Sequence, residues 1–256
     1  MLKAILFDLE QTLSDWELAE PWESHQGRRL KQVYEAVQSV HPLETVDPEG
    51  FFVAFTHHMG EAWTEGVRTM HPPNFLRVLV DTIHSFGVPE DKIDLAAIEL
   101  AYDWQHIAGE RAYPDVLEVL PELREHGIQL GIITNSSQPM GWRDRELEAV
   151  GLLPLFPGCR LSAVDVGYLK PHPAIFSHAL KLMEARPEEV VFVGDNLQAD
   201  IQGAQGLGMH AVLRIQPGSP EQFDESVVPD GRIQTLHDLL PLLDGWYPGW
   251  RNGHIA

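Results

Sequence analysis

Three short apolar runs, each ending at a polar residue, restrict the fold of this chain more than any other feature. Ile5-Leu6-Phe7 runs into Asp8, Gln129-Leu130-Gly131-Ile132-Ile133 into Thr134, and Val190-Val191-Phe192-Val193-Gly194 into Asp195. Strands that are apolar throughout, instead of alternating, are buried on both faces, as in parallel sheets covered by helices. From Tyr113 onward, helical periods separate such runs: Ile175, Phe176, Ala179, Leu180 and Met183 repeat at helix spacing before the third one. Alternating strand and helix argues for a doubly covered parallel sheet. Ligands of open parallel sheets bind at the carboxyl ends of the strands, so Asp8, Thr134 and Asp195 are expected at one edge. The fold class predicted is α/β, with a Rossmann-like parallel sheet core.

The stretch after the first run has a different character. From Ser14 to about Ala112, apolar residues recur at helical spacing: Leu30, Val33, Tyr34 and Val37; Phe52, Phe55, Met59 and Trp63; Phe75, Leu76, Leu79 and Ile83; Leu95, Ile98 and Tyr102. Breaks fall near His41-Pro42, His71-Pro72-Pro73 and Gly87-Val88-Pro89. These read as about four amphipathic helices in a small bundle. Because they interrupt the strand pattern after its first strand, they form an inserted α-helical cap over residues 15–111. The α/β core then comprises 1–14 and 112–244, with a loop from Gln216 to Gly231 and a tail over 245–256.

The formal net charge of -20 speaks against a nucleic-acid partner, because no general positive field exists. An anionic substrate must be drawn in by local positive groups. The one cysteine, Cys159, reads as a small buried apolar residue, and a reducing compartment fits. No stretch of about 18 apolar residues suggests a membrane span, and the chain starts directly with a strand, without a signal pattern. The expectation is a cytoplasmic protein with no membrane partner, monomer or homodimer.

Asp8 and Glu10 lie on the same side of an extended chain. A carboxylate pair at the end of a buried strand is costly unless it holds a metal or does chemistry; the alternative is two surface acids in a turn. Four segments in order resolve this. Asp8-Leu9-Glu10-Gln11-Thr12-Leu13, Ile132-Ile133-Thr134-Asn135, Gly167-Tyr168-Leu169-Lys170-Pro171-His172-Pro173-Ala174-Ile175-Phe176 and Gly194-Asp195-Asn196-Leu197-Gln198-Ala199-Asp200-Ile201 together resemble the motifs of the haloacid dehalogenase superfamily. The helical insert between the first two resembles that family's first type of cap. The resemblance implies a Mg²⁺-dependent phosphatase of small phosphorylated metabolites. Asp8 would be the nucleophile that carries an aspartyl phosphate, and Glu10 the acid/base. Thr134 and Lys170 would serve catalysis and bind the phosphate, and Asn135 and Trp16 would also contact substrate. Asp8, the backbone carbonyl of Glu10, and Asp195 would hold Mg²⁺, a hard cation that prefers oxygen ligands. Asp200 would reach the metal through water or hold Lys170. Thr12 is expected to tie the first turn by local hydrogen bonds.

Two residues depart from the family pattern. Position 10 is normally aspartate in the phosphatase branch and is glutamate here; position 11 is often glycine and is glutamine. Glutamate has nearly the intrinsic pKa of aspartate, but a displacement of about 1 Å in a catalytic group can cost roughly 10²-fold. Three outcomes are open: a competent enzyme, a slow one, or a weakened protein that only binds a phosphorylated ligand or a protein partner. If Glu10 is suboptimal, shortening it to aspartate should hold or raise turnover. Asp195 argues against the dehalogenase branch, which generally lacks that acid. Lys31 and Lys92 match no Schiff-base stretch of the phosphonatase branch, and His57-His58 reads as a surface pair.

Overall fold

The computed structural model describes residues 1–16, 22–104, 109–216, 224 and 226–252, without the side chains of residues 16, 22 and 23. The first apolar run forms β1 (Ala4–Phe7), all four of its residues buried. It is followed by a three-residue strand, β2 (Ser14–Trp16), and then by the inserted helices α1 (Trp22–Val40), α2 (Pro48–Thr69), α3 (Phe75–Ser85) and α4 (Leu95–Tyr102). Their ends fall at the expected proline and glycine breaks. Local chemistry sets their starts: Asp47 accepts from the Gly50 N–H at 2.8 Å ahead of Pro48, and Asp94 accepts from the N–H groups of Ala96 and Ala97.

The chain returns through β3 (Glu110–Ala112), antiparallel to β2 with Ser14 opposite Ala112. This two-stranded link was not expected. Next come α5 (Pro114–Glu125), which runs on through Pro121, then β4 (Gln129–Thr134), α6 (Met140–Ala149), β5 (Cys159–Ser162), the single turn α7 (Ala163–Val166), α8 (Pro173–Leu182) and β6 (Val190–Gly194). A π-helical segment, Leu197–Gln202, leads into the short α9 (Gly203–Gln205), and β7 (His210–Arg214), β8 (Gly231–Ile233) and α10 (Leu239–Trp246) close the order.

Six strands form one parallel sheet in the order β5-β4-β1-β6-β7-β8. β1 sits between β4 and β6, with Phe7 level with Ile132 on one side and Val193 on the other. Continuing that register by one residue brings Asp8 level with Ile133 and Gly194. Thr134 and Asp195 therefore stand one residue further along the same edge.

Strand alternation divides the core into two layers. Ile5, Phe7, Ile132 and Val193 pack with Val116, Val119, Leu120 and Leu123 of α5 and with Leu239 and Leu243 of α10. Ala4, Leu6, Val190 and Phe192 pack with Ile175, Phe176, Ala179 and Leu180 of α8 on the other face. Tyr247 and Trp250, from the segment expected as a tail, are buried in the first layer. Residues 253–256 lie outside the described set. The inserted helices have their own core of Leu30, Val33, Phe51, Phe55, Phe75, Leu79 and Tyr102, into which α6 contributes Trp142. Among the described residues no helix is long and apolar enough to cross a membrane.

Candidate active site

Lys170 is the hub of the sheet edge. Only 2% of its side chain is exposed, and its Nζ donates to Asp8 Oδ1 at 2.6 Å and to the Ile133 carbonyl at 2.8 Å. It also pairs with Asp200 Oδ1 at 2.7 Å. Burial works against its charge, yet Asp200 and Asp8 outweigh burial and hold the amine above the ordinary lysine value. Asp8 is pushed well above the usual carboxylate range, first by burial; Lys170 opposes this, while Asp200, Glu10 and Asp195 add to it. Asp195 is raised to about 6, first by burial and then by the charge of Asp200.

Carboxylate oxygens of Asp8, Asp195 and Asp200 lie within 4.8 Å of one another. Three hard oxygen donors crowded beside a single lysine suit a divalent cation, which would offset the repulsion that raises Asp8 and Asp195. Asp200 Oδ1 faces Lys170 as an ion pair but has no hydrogen-bond partner of suitable geometry among the described residues, and Oδ2 accepts the Asn196 N–H at 3.0 Å. The helix that follows is capped by Asn196, whose Oδ1 accepts from Gln198 and Ala199.

The turn after β1 is tied by backbone. The N–H groups of Leu13 and Ser14 reach the Leu9 carbonyl at 2.8 and 3.2 Å, and that of Gln11 reaches the Ser14 carbonyl at 2.9 Å. Thr12 was expected to supply this tie through its hydroxyl. Instead its Oγ1 is buried without a hydrogen-bond partner among the described residues, because the main chain already closes the turn. Gln11 has φ 59°, a left-handed conformation that glycine adopts more cheaply, in keeping with the glycine usual at that position.

Thr134 is fully buried, and its hydroxyl donates to Glu10 Oε2 at 2.8 Å. The helix after β4 starts six residues beyond it, at Met140, whose N–H goes to Asp165 Oδ2 at 2.7 Å. Asn135 clasps the lysine segment: its Nδ2 donates to the Lys170 carbonyl at 3.0 Å, and its Oδ1 accepts the Lys170 N–H at 2.7 Å. Its amide thus fixes where Lys170 leaves the loop. Trp16 ends β2, and its side chain lies outside the described residues. His57 is exposed beside Glu61, as a surface histidine would be, whereas His58 is half-buried and its Nδ1 meets the hydroxyl of buried Thr82 at 2.9 Å.

A buried network missed in the sequence meets Glu10 from α6. The Arg143 guanidinium pairs with Glu10 Oε1 through Nη2. It also contacts Glu146 at 3.0 and 3.2 Å and Gln138 Oε1 at 3.4 Å. Burial opposes the arginine's charge, but Glu10 and Glu146 outweigh it. The only sequence signal was an Arg and a Glu three residues apart on a polar helix, which also describes an ordinary surface pair. Gln138 further lines a cavity of about 220 Å³ with Ser137 and with Phe55, Met59 and Trp63 of α2.

Comparison with known proteins agrees with this arrangement. A glyceraldehyde 3-phosphate phosphatase of Methanopyrus kandleri is 31% identical over 248 residues, covering 95% of this chain and 97% of that protein. The crystal structure of a phosphatase from Thermococcus onnurineus aligns over 95% of this chain and 99% of its own, with TM-score 0.60 and 25% identity. A 2-haloacid dehalogenase of Pseudomonas syringae aligns over 96% of this chain and 100% of its own, with TM-score 0.66 and 25% identity. A sequence model for haloacid dehalogenase-like hydrolases matches residues 2–208. That span takes in the strand ends bearing Asp8, Thr134 and Asp195 and the lysine paired with Asp8, and the chain belongs to the haloacid dehalogenase-like hydrolase family.

Proposed function

We propose that the protein is a Mg²⁺-dependent phosphatase that hydrolyses a small phosphorylated metabolite through an aspartyl phosphate on Asp8. The observation that carries this reading is the 2.6 Å pair between Lys170 and Asp8, set among carboxylates at one sheet edge. A dehalogenase would have no evident use for that acid cluster.

Asp8 attacks phosphorus while the ester P–O bond breaks, and Glu10, carrying a proton on the Oε2 that Thr134 leaves when it turns to the phosphate, gives that proton to the departing oxygen. Glu10 then takes a proton from water, which attacks the aspartyl phosphate and releases inorganic phosphate and Asp8. Lys170 offsets the negative charge shared by Asp8 and the phosphate, and Asp200 keeps the amine in place. Thr134 turns its hydroxyl to a phosphate oxygen. Asp8, Asp195 and the Glu10 carbonyl would hold Mg²⁺, which supplies charge neutralisation to the phosphoryl group. Residues 15–111 would act as the cap that excludes water. The cavity between α2 and the Ser137–Gln138 loop is our choice for the leaving group.

Triose phosphates head the test panel, because the Methanopyrus kandleri relative is a phosphatase of one. Pure protein is expected to release inorganic phosphate from at least one ester with Mg²⁺. Activity should vanish with chelator and in Asp8→Asn. No Mg²⁺-dependent release from any ester by the parent protein would overturn the proposal.

A further inference from the structure

The proposed chemistry leaves one contact at its centre without a role. Glu10 is longer than the family's usual aspartate, and the extra reach ends on Arg143 and Thr134, one carboxylate oxygen on each. The Thr134 hydroxyl has a single hydrogen. Once that hydrogen goes to a phosphate oxygen, Glu10 loses it, and the guanidinium is its remaining partner. Arg143 is suited to this: its side chain is 3% exposed, its planar fork has fixed geometry, and it stays charged at any working pH.

The guanidinium is itself held. Glu146, fully buried on the same helix, contacts two of its nitrogens. The next residue back, Trp142, is locked among Phe75, Tyr102 and Trp104. A buried cation held between Glu10 and Glu146 is expensive and contributes little net stability, so its position beside Glu10 calls for a purpose other than stability. We propose that Arg143 is the positioning residue for Glu10, taking up the extra methylene and fixing the carboxylate before and after Thr134 turns to the phosphate. This rests on the phosphatase reading of the site. It also reverses the expectation for Glu10→Asp: a shorter side chain falls short of Arg143, and turnover should drop.

The experiment compares Glu10→Asp, Arg143→Lys, Arg143→Met and the double variant Glu10→Asp/Arg143→Lys. Three readouts are taken on each: kcat and KM for the best ester, melting temperature, and affinity for inorganic phosphate by calorimetry with Mg²⁺. Arg143→Lys keeps the buried charge and is the variant safest to fold. Its kcat should fall about tenfold with KM within about twofold, and Arg143→Met should fall nearer 10²-fold, the scale of an ångström misplacement. The double variant should be no worse than the poorer single one, because both remove the same contact.

If Arg143→Lys melts like the parent and turns over within about twofold of it, or if the two losses multiply in full, the inference is overturned while the phosphatase reading stands. If the parent has no turnover but binds phosphate, the reading falls and affinity decides the inference. A freed Glu10 carboxylate would then face the anion, so Arg143→Lys should weaken phosphate binding about fivefold or more, and adding Glu10→Gln should restore it. Unchanged phosphate affinity in Arg143→Lys overturns the inference in that case, and a parent that neither turns over nor binds phosphate overturns both.

Discussion

Asp195 and Glu146 hold their protons more tightly than exposed carboxylates do, and burial is the first cause for both. The consequences differ because one faces the proposed metal and the other faces an arginine. Asp195 is raised to about 6, so its proton must leave before a cation can bind. Through Asp195 alone, Mg²⁺ affinity measured by calorimetry should change little between pH 7 and 8 and fall about fivefold from pH 6 to 5. A flat profile would remove Asp195 from the ligand set. Glu146 is raised from its ordinary 4.5 to about 8. The folded chain therefore binds this proton more tightly than the unfolded chain does. The stability it contributes is complete below about pH 4.5 and is lost as pH rises through about 8. Glu146→Gln removes that dependence. The melting temperature of the variant, relative to the parent, should climb steadily from pH 5 to pH 8.5, and a constant difference would show that Glu146 titrates normally.

Helix α6 joins two bodies through adjacent residues. Trp142 inserts into the aromatic cluster of the inserted helices and donates its indole N–H to Glu99 Oε1 at 2.8 Å, while Arg143 turns to the sheet edge. Truncating Trp142 to alanine should cost about 3–5 kcal/mol in urea unfolding, the range for deleting a buried aromatic. A loss under about 1 kcal/mol would mean that the cluster closes over the gap. At the end of β6, a Cβ on Gly194 would land on the Asp200 carboxylate and push it from Lys170. Gly194→Ala is expected to lower kcat/KM by at least about tenfold, the effect of misplacing a charge-bearing group, and initial rates at low substrate would show it. Much at this scale was legible in the sequence. β1, β4 and β6 are apolar runs that end in chemistry, and α1 to α4 carry the expected apolar stripes, although α1 begins eight residues before Leu30 and α2 runs six past Trp63. β2 and β3 were not legible, since three residues each are too few to show alternation. Arg143 and Glu146 were hidden for a different reason. They flank Trp142, which is buried by Phe75, Tyr102 and Trp104, residues distant in sequence that meet α6 only once the insert folds back. Thr12 was misread because a threonine in a turn commonly caps it, whereas here the main chain had done so already.

For the whole molecule, the formal charge of -20 sets a problem that the site must overcome. A phosphate ester approaches a protein of its own sign and is attracted only near Lys170 and any bound cation. Such opposed fields separate by range. At about 10 mM ionic strength the Debye length is about 30 Å, and the overall repulsion reaches well into solvent. At about 150 mM it shrinks to about 8 Å, and the buried contacts around Lys170 are screened far less than the surface acids. Raising KCl at fixed free Mg²⁺ should therefore raise kcat/KM for a dianionic ester by about twofold or more. It should leave kcat nearly unchanged, because chemistry follows encounter. A neutral competitor of the leaving group should show no such dependence, which separates screening from a general effect of salt on the fold. If kcat/KM falls with salt instead, the local positive field extends beyond the sheet edge, and exposed cations of the inserted helices must contribute to it. Arg68 and Lys31 are among those cations, and each now faces an acid of its own helix, Glu65 and Glu35. Charge reversal at those two positions would then locate the source, and it should change nothing if the repulsion argument holds.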